Sequence, residues 1–259
     1  MTVPENNKKK DLNSSYSLSV QLSLTGLSFL MEEENKPVFT EEISFSEPKN
    51  PDELLFEIEK AFAEIEQLQH PVFELTLIYQ NPFYSIVPAA LFKEDEAEQY
   101  LKLNTRIFTT DFVAFDTLEN FELVNVYVPL ANINNYFFEH YGEFSYFHFT
   151  TTFLESVLQN EKTGNPKKMY AHLHGQQVDV VVTSGKKLEL CNSFNYTTPE
   201  DLTYYLLFVA EQLQLNPEEF ELELSGKISE EDDFFELLYT YIRNVTLKQN
   251  KPTTLRIEK

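Results

Sequence analysis

Glycine is scarce in this chain, with six in 259 residues. A loop that wraps phosphate needs clustered glycines so that backbone N–H groups can approach the anion. Six glycines spread along the whole length exclude a rich example of such a loop. Cysteine is scarcer still. Cys191 alone cannot form an intramolecular disulfide, and no Cys/His cluster has zinc-finger spacing, which fits a reducing compartment. Basic residues are few, 20 Lys and Arg against 42 Asp and Glu, for a formal net charge of −22. A surface of that sign repels phosphate backbones, so nucleic acid is not an expected partner. The acidity itself has two readings: solubility with acid-rich helix starts, or an acidic face for a basic partner. Long apolar runs are missing too. The longest, Tyr204 to Ala210, falls far short of the ~20 residues that a membrane-spanning helix needs. Lys8 to Lys10 are followed by no apolar stretch, so the N-terminus does not read as a secretory signal. A cytoplasmic protein is expected.

Aromatic and apolar residues are abundant. Phe and Tyr number 23 and 14 in an apolar fraction of 42%, ample for a real core. The length suits two halves better than one compact domain. A repeat supports that division. "NPDELLFEIEKAFAEIEQLQHPVFEL" (50–75) and "TPEDLTYYLLFVAEQLQLNPEEFEL" (198–222) share a cap, a proline, acids, an apolar-periodic run, a second proline and Phe-Glu-Leu. Asn50 and Thr198 are N-caps, with Pro51 and Pro199 at the first helical position. Leu54, Ile58 and Phe62, like Leu202, Leu206 and Ala210, recur at helical spacing.

Each repeat has the same surroundings. Strands are predicted over 16–24, 27–32 and 38–45 in the first half, and over 169–175, 178–183 and 187–194 in the second. A fourth strand follows each helix. Second helices are predicted over 88–103 and after Ser229, so both halves read β-β-β-α-β-α. "FELVNVYVP" (121–129) is expected as a fifth strand of the first half, and a further helix should end at Gly142. "EKTGNPKK" (161–168) reads as a linker. The expected division is a disordered tail over 1–15, a first half over 16–160 and a second over 161–259.

That order resembles the ribonuclease H-like module, and two in tandem resemble the actin-like ATPase fold of actin, Hsp70 chaperones, sugar kinases and pilus-assembly proteins. The fold class is therefore α/β, with two mixed sheets flanked by helices. More narrowly, "VNVYVPLANINNYFFEHYGEF", "TPEDLTYYLLFVAEQLQLNPEE" and "ELSG" resemble an uncharacterised bacterial family with this fold and no assigned activity. In active members of the fold, the resemblance implies, ATP lies between the halves. The turn between the first two strands of each half supplies an Asp for Mg²⁺ and a small or Gly-rich phosphate loop. A further glycine turn meets adenosine.

These positions can be placed here. In "SVQLSLTGLSF" the Asp position falls on Gln21 and the glycine position on Ser23, with Thr25 and Gly26 at the turn. In "AHLHGQQVDVVV" the Asp position falls on His172. His174 takes a glycine position, Gly175 is kept with Gln176 after it, and Asp179 falls near the trailing acid. The adenosine turn is reduced to Ser225-Gly226. Neither Gln nor a neutral imidazole supplies an anionic oxygen for a hard cation. Mg²⁺-dependent hydrolysis is expected to be lost, and nuclease chemistry needs clustered carboxylates that "SLSVQLS" does not offer. His172 and His174 project from one face of a strand, yet no third metal ligand is evident. Cys191 reads as a small buried hydrophobe. No cofactor is expected, with ATP the ligand to test. The expected partner is another protein; the aromatic runs Tyr136-Phe137-Phe138, Tyr146 to Phe149 and Tyr204-Tyr205 read first as core and inter-half packing, with an exposed subset the alternative as a partner surface. Three functions follow: a non-catalytic interaction or regulatory protein, a divergent nucleotide binder using the cleft, or a structural subunit of an envelope or pilus-like assembly.

Overall fold

A computed structural model of the chain describes residues 10–102 and 112–248. The chain divides into two compact units, with the division between Thr151 and Thr152.

The first unit opens with an antiparallel meander: β1 (Tyr16–Ser23), β2 (Gly26–Glu33) and β3 (Lys36–Ser44). α1 (Pro51–Glu64) follows. The Asn50 side chain accepts hydrogen bonds from the Asp52 and Glu53 N–H groups, and Glu53 accepts from Asn50 in return. Leu54, Ile58, Ala61 and Phe62 form the buried stripe of α1. β4 (Glu74–Gln80) then pairs parallel to β1.

The next segment departs from expectation. β5 (Tyr84–Pro88) ends at the proline expected to open a long helix. Beyond it come two short 3₁₀ turns and only a five-residue helix, α2 (Ala97–Leu101). The stretch from Lys93 to Glu98 is nearly all charged and offers no continuous apolar stripe to hold a longer helix against a core. Leu103, the expected end of that helix, lies outside the described residues. β6 (Ala114–Leu118) and β7 (Leu123–Tyr127) complete a separate three-stranded sheet in the order β5-β7-β6. "FELVNVYVP" is thus a strand as expected, but not the fifth strand of the main sheet. Its alternation marks a strand and cannot say which sheet it joins.

α3 (Ala131–Tyr141) ends at Gly142, whose φ of 78° suits a glycine. β8 (Ser145–His148) is the true fifth strand, parallel to β4, and leads into α4 (Phe149–Asn160), inside which the division between the units falls. Ahead of β1, the stretch expected as tail is partly tied down. Lys10 bridges Val72, the Asp11 N–H bonds Val72 O, and Ser14 Oγ bonds Pro71 O. Residues 1–9 of that stretch lie outside the described residues.

The second unit repeats the plan. β9 (Lys167–His174), β10 (Gln177–Ser184) and β11 (Lys187–Asn195) form the meander. α5 (Pro199–Gln212) is capped by Thr198 and Asp201, and β12 (Glu221–Gly226) pairs parallel to β9. α6 (Asp233–Tyr241) starts later than expected, so Glu230 and Glu231 precede the helix instead of lying in its first turn. β13 (Asn244–Leu247), unforeseen in sequence, is the fifth strand here.

The two main sheets have the orders β3-β2-β1-β4-β8 and β11-β10-β9-β12-β13. They are one topology written twice, with the same antiparallel and parallel neighbours. In the second unit Met169, Ala171, Val178, Val180, Leu202, Leu206 and Leu222 meet in one core. The linker expected at 161–168 is in part structural: Glu161 is buried and Lys167-Lys168 open β9. Among the described residues no helix is long and apolar enough to cross a membrane.

Candidate functional site

The register places Gln21 and His172 at equivalent points. Each stands two residues before the end of the first strand of its unit, where Ser23 pairs with Gly26 and His174 pairs with Gln177. In the first unit Gln21 Nε2 donates to Gln80 Oε1 at the end of β4, 2.6 Å away. Ser23 Oγ and Thr25 Oγ1 share a hydrogen bond of 3.0 Å, and the Thr25 N–H donates to Ser23 Oγ. The carbonyls of Leu24 and Thr25 accept from the N–H groups of Lys49 and Phe45. Gly26 is required by packing: a Cβ there would lie 2.6 Å from Ile43 O of the neighbouring strand.

In the second unit His172 Nδ1 lies 3.0 Å from Ser225 Oγ of β12, its parallel neighbour. The buried hub is Asp179, one strand away. Its Oδ2 is 3.0 Å from His174 Nε2, and its Oδ1 accepts from Gln177 Nε2 at 2.8 Å and Ser193 Oγ at 2.6 Å. Burial pushes the Asp179 carboxyl up, but His174 and the hydrogen bonds outweigh it and hold the group well below the usual carboxylate range. Burial acts on His172 in the opposite sense to its charge and, helped by His174, brings it down to about 4. His172 is therefore neutral near pH 7.

The other predicted positions serve the turn. Gly175 has φ 53° and its carbonyl accepts from Tyr196 OH, while Gln176 O accepts from the Tyr196 N–H. Gly226 has φ 89°, and a Cβ there would lie 2.0 Å from Leu173 O, which also accepts from the Lys227 N–H. The reduced adenosine turn is thus a close strand-to-strand contact that only glycine fits. Cys191 is half-buried, on β11.

A second polar hub, in the first unit, had no warning in the sequence. Asp116 Oδ2 accepts from the His148 N–H at 2.9 Å and from Thr151 Oγ1 at 2.7 Å, and its Oδ1 accepts from Tyr127 OH at 3.0 Å. Thr151 Oγ1 in turn accepts from Asn125 Nδ2. His148 Nδ1 accepts the Thr150 N–H, so Nε2 carries the ring proton toward Asn81 O. Burial raises the Asp116 carboxyl, against the pull of these three donors. Asp116 in the first unit and Asp179 in the second are therefore both carboxylates filled by protein donors. Among the described residues no three His, Cys, Asp or Glu side chains group as a metal site.

The fold is shared with solved structures. A Bacteroides thetaiotaomicron protein with an actin-like ATPase fold and unknown function matches with a TM-score of 0.79 and 25% identity, over 96% of this chain and 94% of that one. The PilM-PilN type IV pilus biogenesis complex matches at 0.58 and 13% identity, over 90% and 88%. The ethanolamine utilization protein EutJ from Carboxydothermus hydrogenoformans matches at 0.52 and 9%, over 90% and 85%. No curated protein matches. The chain, with its module written twice, therefore has an actin-like ATPase fold, as the resemblance implied. Residues 5–245 match the model of a family described as "Protein of unknown function (DUF3822)", and the chain belongs to that family.

Proposed function

We propose that this chain is a non-catalytic interaction or regulatory protein of the cytoplasm that keeps the actin-like ATPase fold without its metal-dependent chemistry. The observation that carries this is the pairing of Gln21 with Gln80 and of His172 with Ser225. Where the fold's chemistry calls for carboxylates, both units have neutral side chains already bonded to the end of the fourth strand. A hard divalent cation wants anionic oxygens, and these positions supply none. Gly26 and Gly226 do not argue for nucleotide, because each has a sufficient structural cause in the strand beside it. The fold is also found in the PilM-PilN type IV pilus biogenesis complex, which supports the reading by analogy of fold alone.

The test is the melting temperature of the purified chain with ATP or ADP, with and without Mg²⁺, beside a phosphate-release assay. The expected result is no shift and no release above buffer. A shift that grows with nucleotide concentration, or Mg²⁺-dependent release, would overturn the proposal in favour of nucleotide binding.

A further inference from the structure

The helical layer of the second unit carries aromatic rings on the outside. On α5, Leu202, Leu206, Val209 and Ala210 are buried, while Tyr204 and Phe208 point away from that stripe and are 63% and 42% exposed. The two rings stack, with centroids 6.1 Å apart and planes at 21°. α6 packs beside α5 and repeats the device. Its Phe235 and Tyr239 stack at 6.0 Å and 20°, with Tyr239 60% exposed. Both pairs have the i,i+4 spacing that brings side chains together on one helix face.

The fold does not require these rings. α1 and α5 are the same helix in the two copies, and Leu54 and Ile58 match Leu202 and Leu206 in the core. At the outward positions the first copy has Phe56 and Lys60 where the second has Tyr204 and Phe208. The core positions share their character, whereas both outward positions are aromatic in the second copy and only one, Phe56, in the first. The charge on the two helices themselves is of one sign. Neither α5 nor α6 contains a Lys or Arg. Between Lys187 and Arg243 the only base is Lys227, against thirteen Asp and Glu residues. Glu200 and Glu211 flank the α5 rings one helical turn away, and Glu236 adjoins those on α6.

We propose that the outer face of α5 and α6 docks a basic segment of a partner protein, its Arg and Lys side chains lying over the stacked rings and pairing with the surrounding carboxylates. Rings held in stacks lose little side-chain freedom on binding. Their faces attract guanidinium and ammonium groups. The acidic helices draw a basic partner and repel acidic ones. The proposal rests on the reading of the chain as an interaction protein and adds the chemistry of the partner.

The test uses the full chain and a fluorescein-labelled peptide of alternating Arg and Leu, with a counterpart in which every Arg is Glu. Binding is measured for the wild-type, Y204S/F208S and F56S chains, the last altering the equivalent helix of the other copy. The wild-type and F56S chains should bind the basic peptide alike. Y204S/F208S should bind at least tenfold more weakly while melting at the wild-type temperature, and the Glu peptide should not bind. Equal binding by Y204S/F208S, or no binding by the wild type, overturns the proposal. So does light scattering that shows the wild-type chain pairing with itself through these residues. Failure here leaves the non-catalytic reading standing. Mg²⁺-dependent ATP turnover sinks that reading whatever the peptide does.

Discussion

Gln21 and His172 occupy the same register in two copies of one module, and each reaches the end of its fourth strand, Gln21 to Gln80 and His172 to Ser225. Duplication makes this informative. The backbone places a side chain at that point twice, and twice the chain fills it with a neutral group satisfied by a neighbour. Each unit has a carboxylate elsewhere, Asp116 in one and Asp179 in the other, surrounded by hydroxyl, amide, imidazole or backbone donors.

His172 gives a pH dependence. Its folded value of about 4 lies below the ordinary histidine value near 6.5, owing to burial first and then to His174, with Lys248 adding to the effect and Asp179 opposing it. Between those values the unfolded chain binds a proton that the folded chain does not. Stability is therefore constant with respect to this group above about pH 6.5 and falls as the pH is lowered toward 4. The slope from this group approaches about 1.4 kcal/mol per pH unit in mid-window. His172→Gln keeps a donor and an acceptor for Ser225 and removes the titration. Urea midpoints from pH 7 to pH 4.5 should fall less steeply for the variant than for wild type, and parallel slopes would refute the assignment.

Asp179 acts with the same sign at lower pH. Its folded carboxyl is depressed, so its contribution is complete above the unfolded value near 3.9 and is lost as the pH falls below that. Asp179→Ala leaves His174, Gln177 and Ser193 without the acceptor they share in a buried site. The expected loss is about 3 kcal/mol, since buried donors left without an acceptor cost about 1–3 kcal/mol each. Asp179→Asn keeps an acceptor oxygen and should lose less. Chemical unfolding of both variants measures the difference, and equal losses would mean that charge and geometry at Asp179 do not matter.

Gly226 and Gly164 separate backbone strain from collision. Both have φ near +90°, 89° and 88°, where any L side chain is strained. A Cβ at Gly164 meets nothing within 4 Å, whereas at Gly226 it would lie 2.0 Å from Leu173 O. Gly164→Ala should cost about 1–2 kcal/mol from conformation alone. Gly226→Ala must also push β12 from β9 and should cost clearly more. Similar unfolding midpoints for the two variants would show that the strands part easily. The same contact makes Gly226 a poor probe of nucleotide binding, since its variants lose packing whether or not a ligand binds.

What the sequence disclosed follows from the range of each interaction. The meanders, the helix caps and both fourth strands rest on neighbours within a few residues, and Asn50, Pro51, Thr198 and Pro199 mark them directly. β13 went unseen because it is four residues long with no buried residue to create a pattern. β7 was visible as a strand but assigned to the wrong sheet, because its partners β5 and β6 are chosen by packing. The Asp116 hub joins residues 116, 127, 148 and 151 on separate elements, and no local spacing announces it. The turns at Gln21 and His172 were legible because the repeat fixed where to look.

The two helix caps give a last prediction, in which the repeat is used as its own control. Asn50 accepts from two N–H groups, those of Asp52 and Glu53, whereas Thr198 accepts from Asp201 alone. The reciprocal arms are reversed in strength. Glu53 accepts from Asn50 N, but Asp201 accepts from Thr197 N, Thr197 Oγ1 and Thr198 N. In the first copy the cap residue carries most of the motif, and in the second the acid does. Asn50→Ala should therefore cost about 1–2 kcal/mol and exceed Thr198→Ala, at about 1 kcal/mol. Asp201→Ala should cost more than Glu53→Ala. The pairs lie in different units and share no partner, so the Asn50→Ala/Thr198→Ala double variant should lose close to the sum. Urea unfolding of the five variants checks the order. If Glu53→Ala costs as much as Asp201→Ala, the three donors on Asp201 contribute no more than the single one on Glu53.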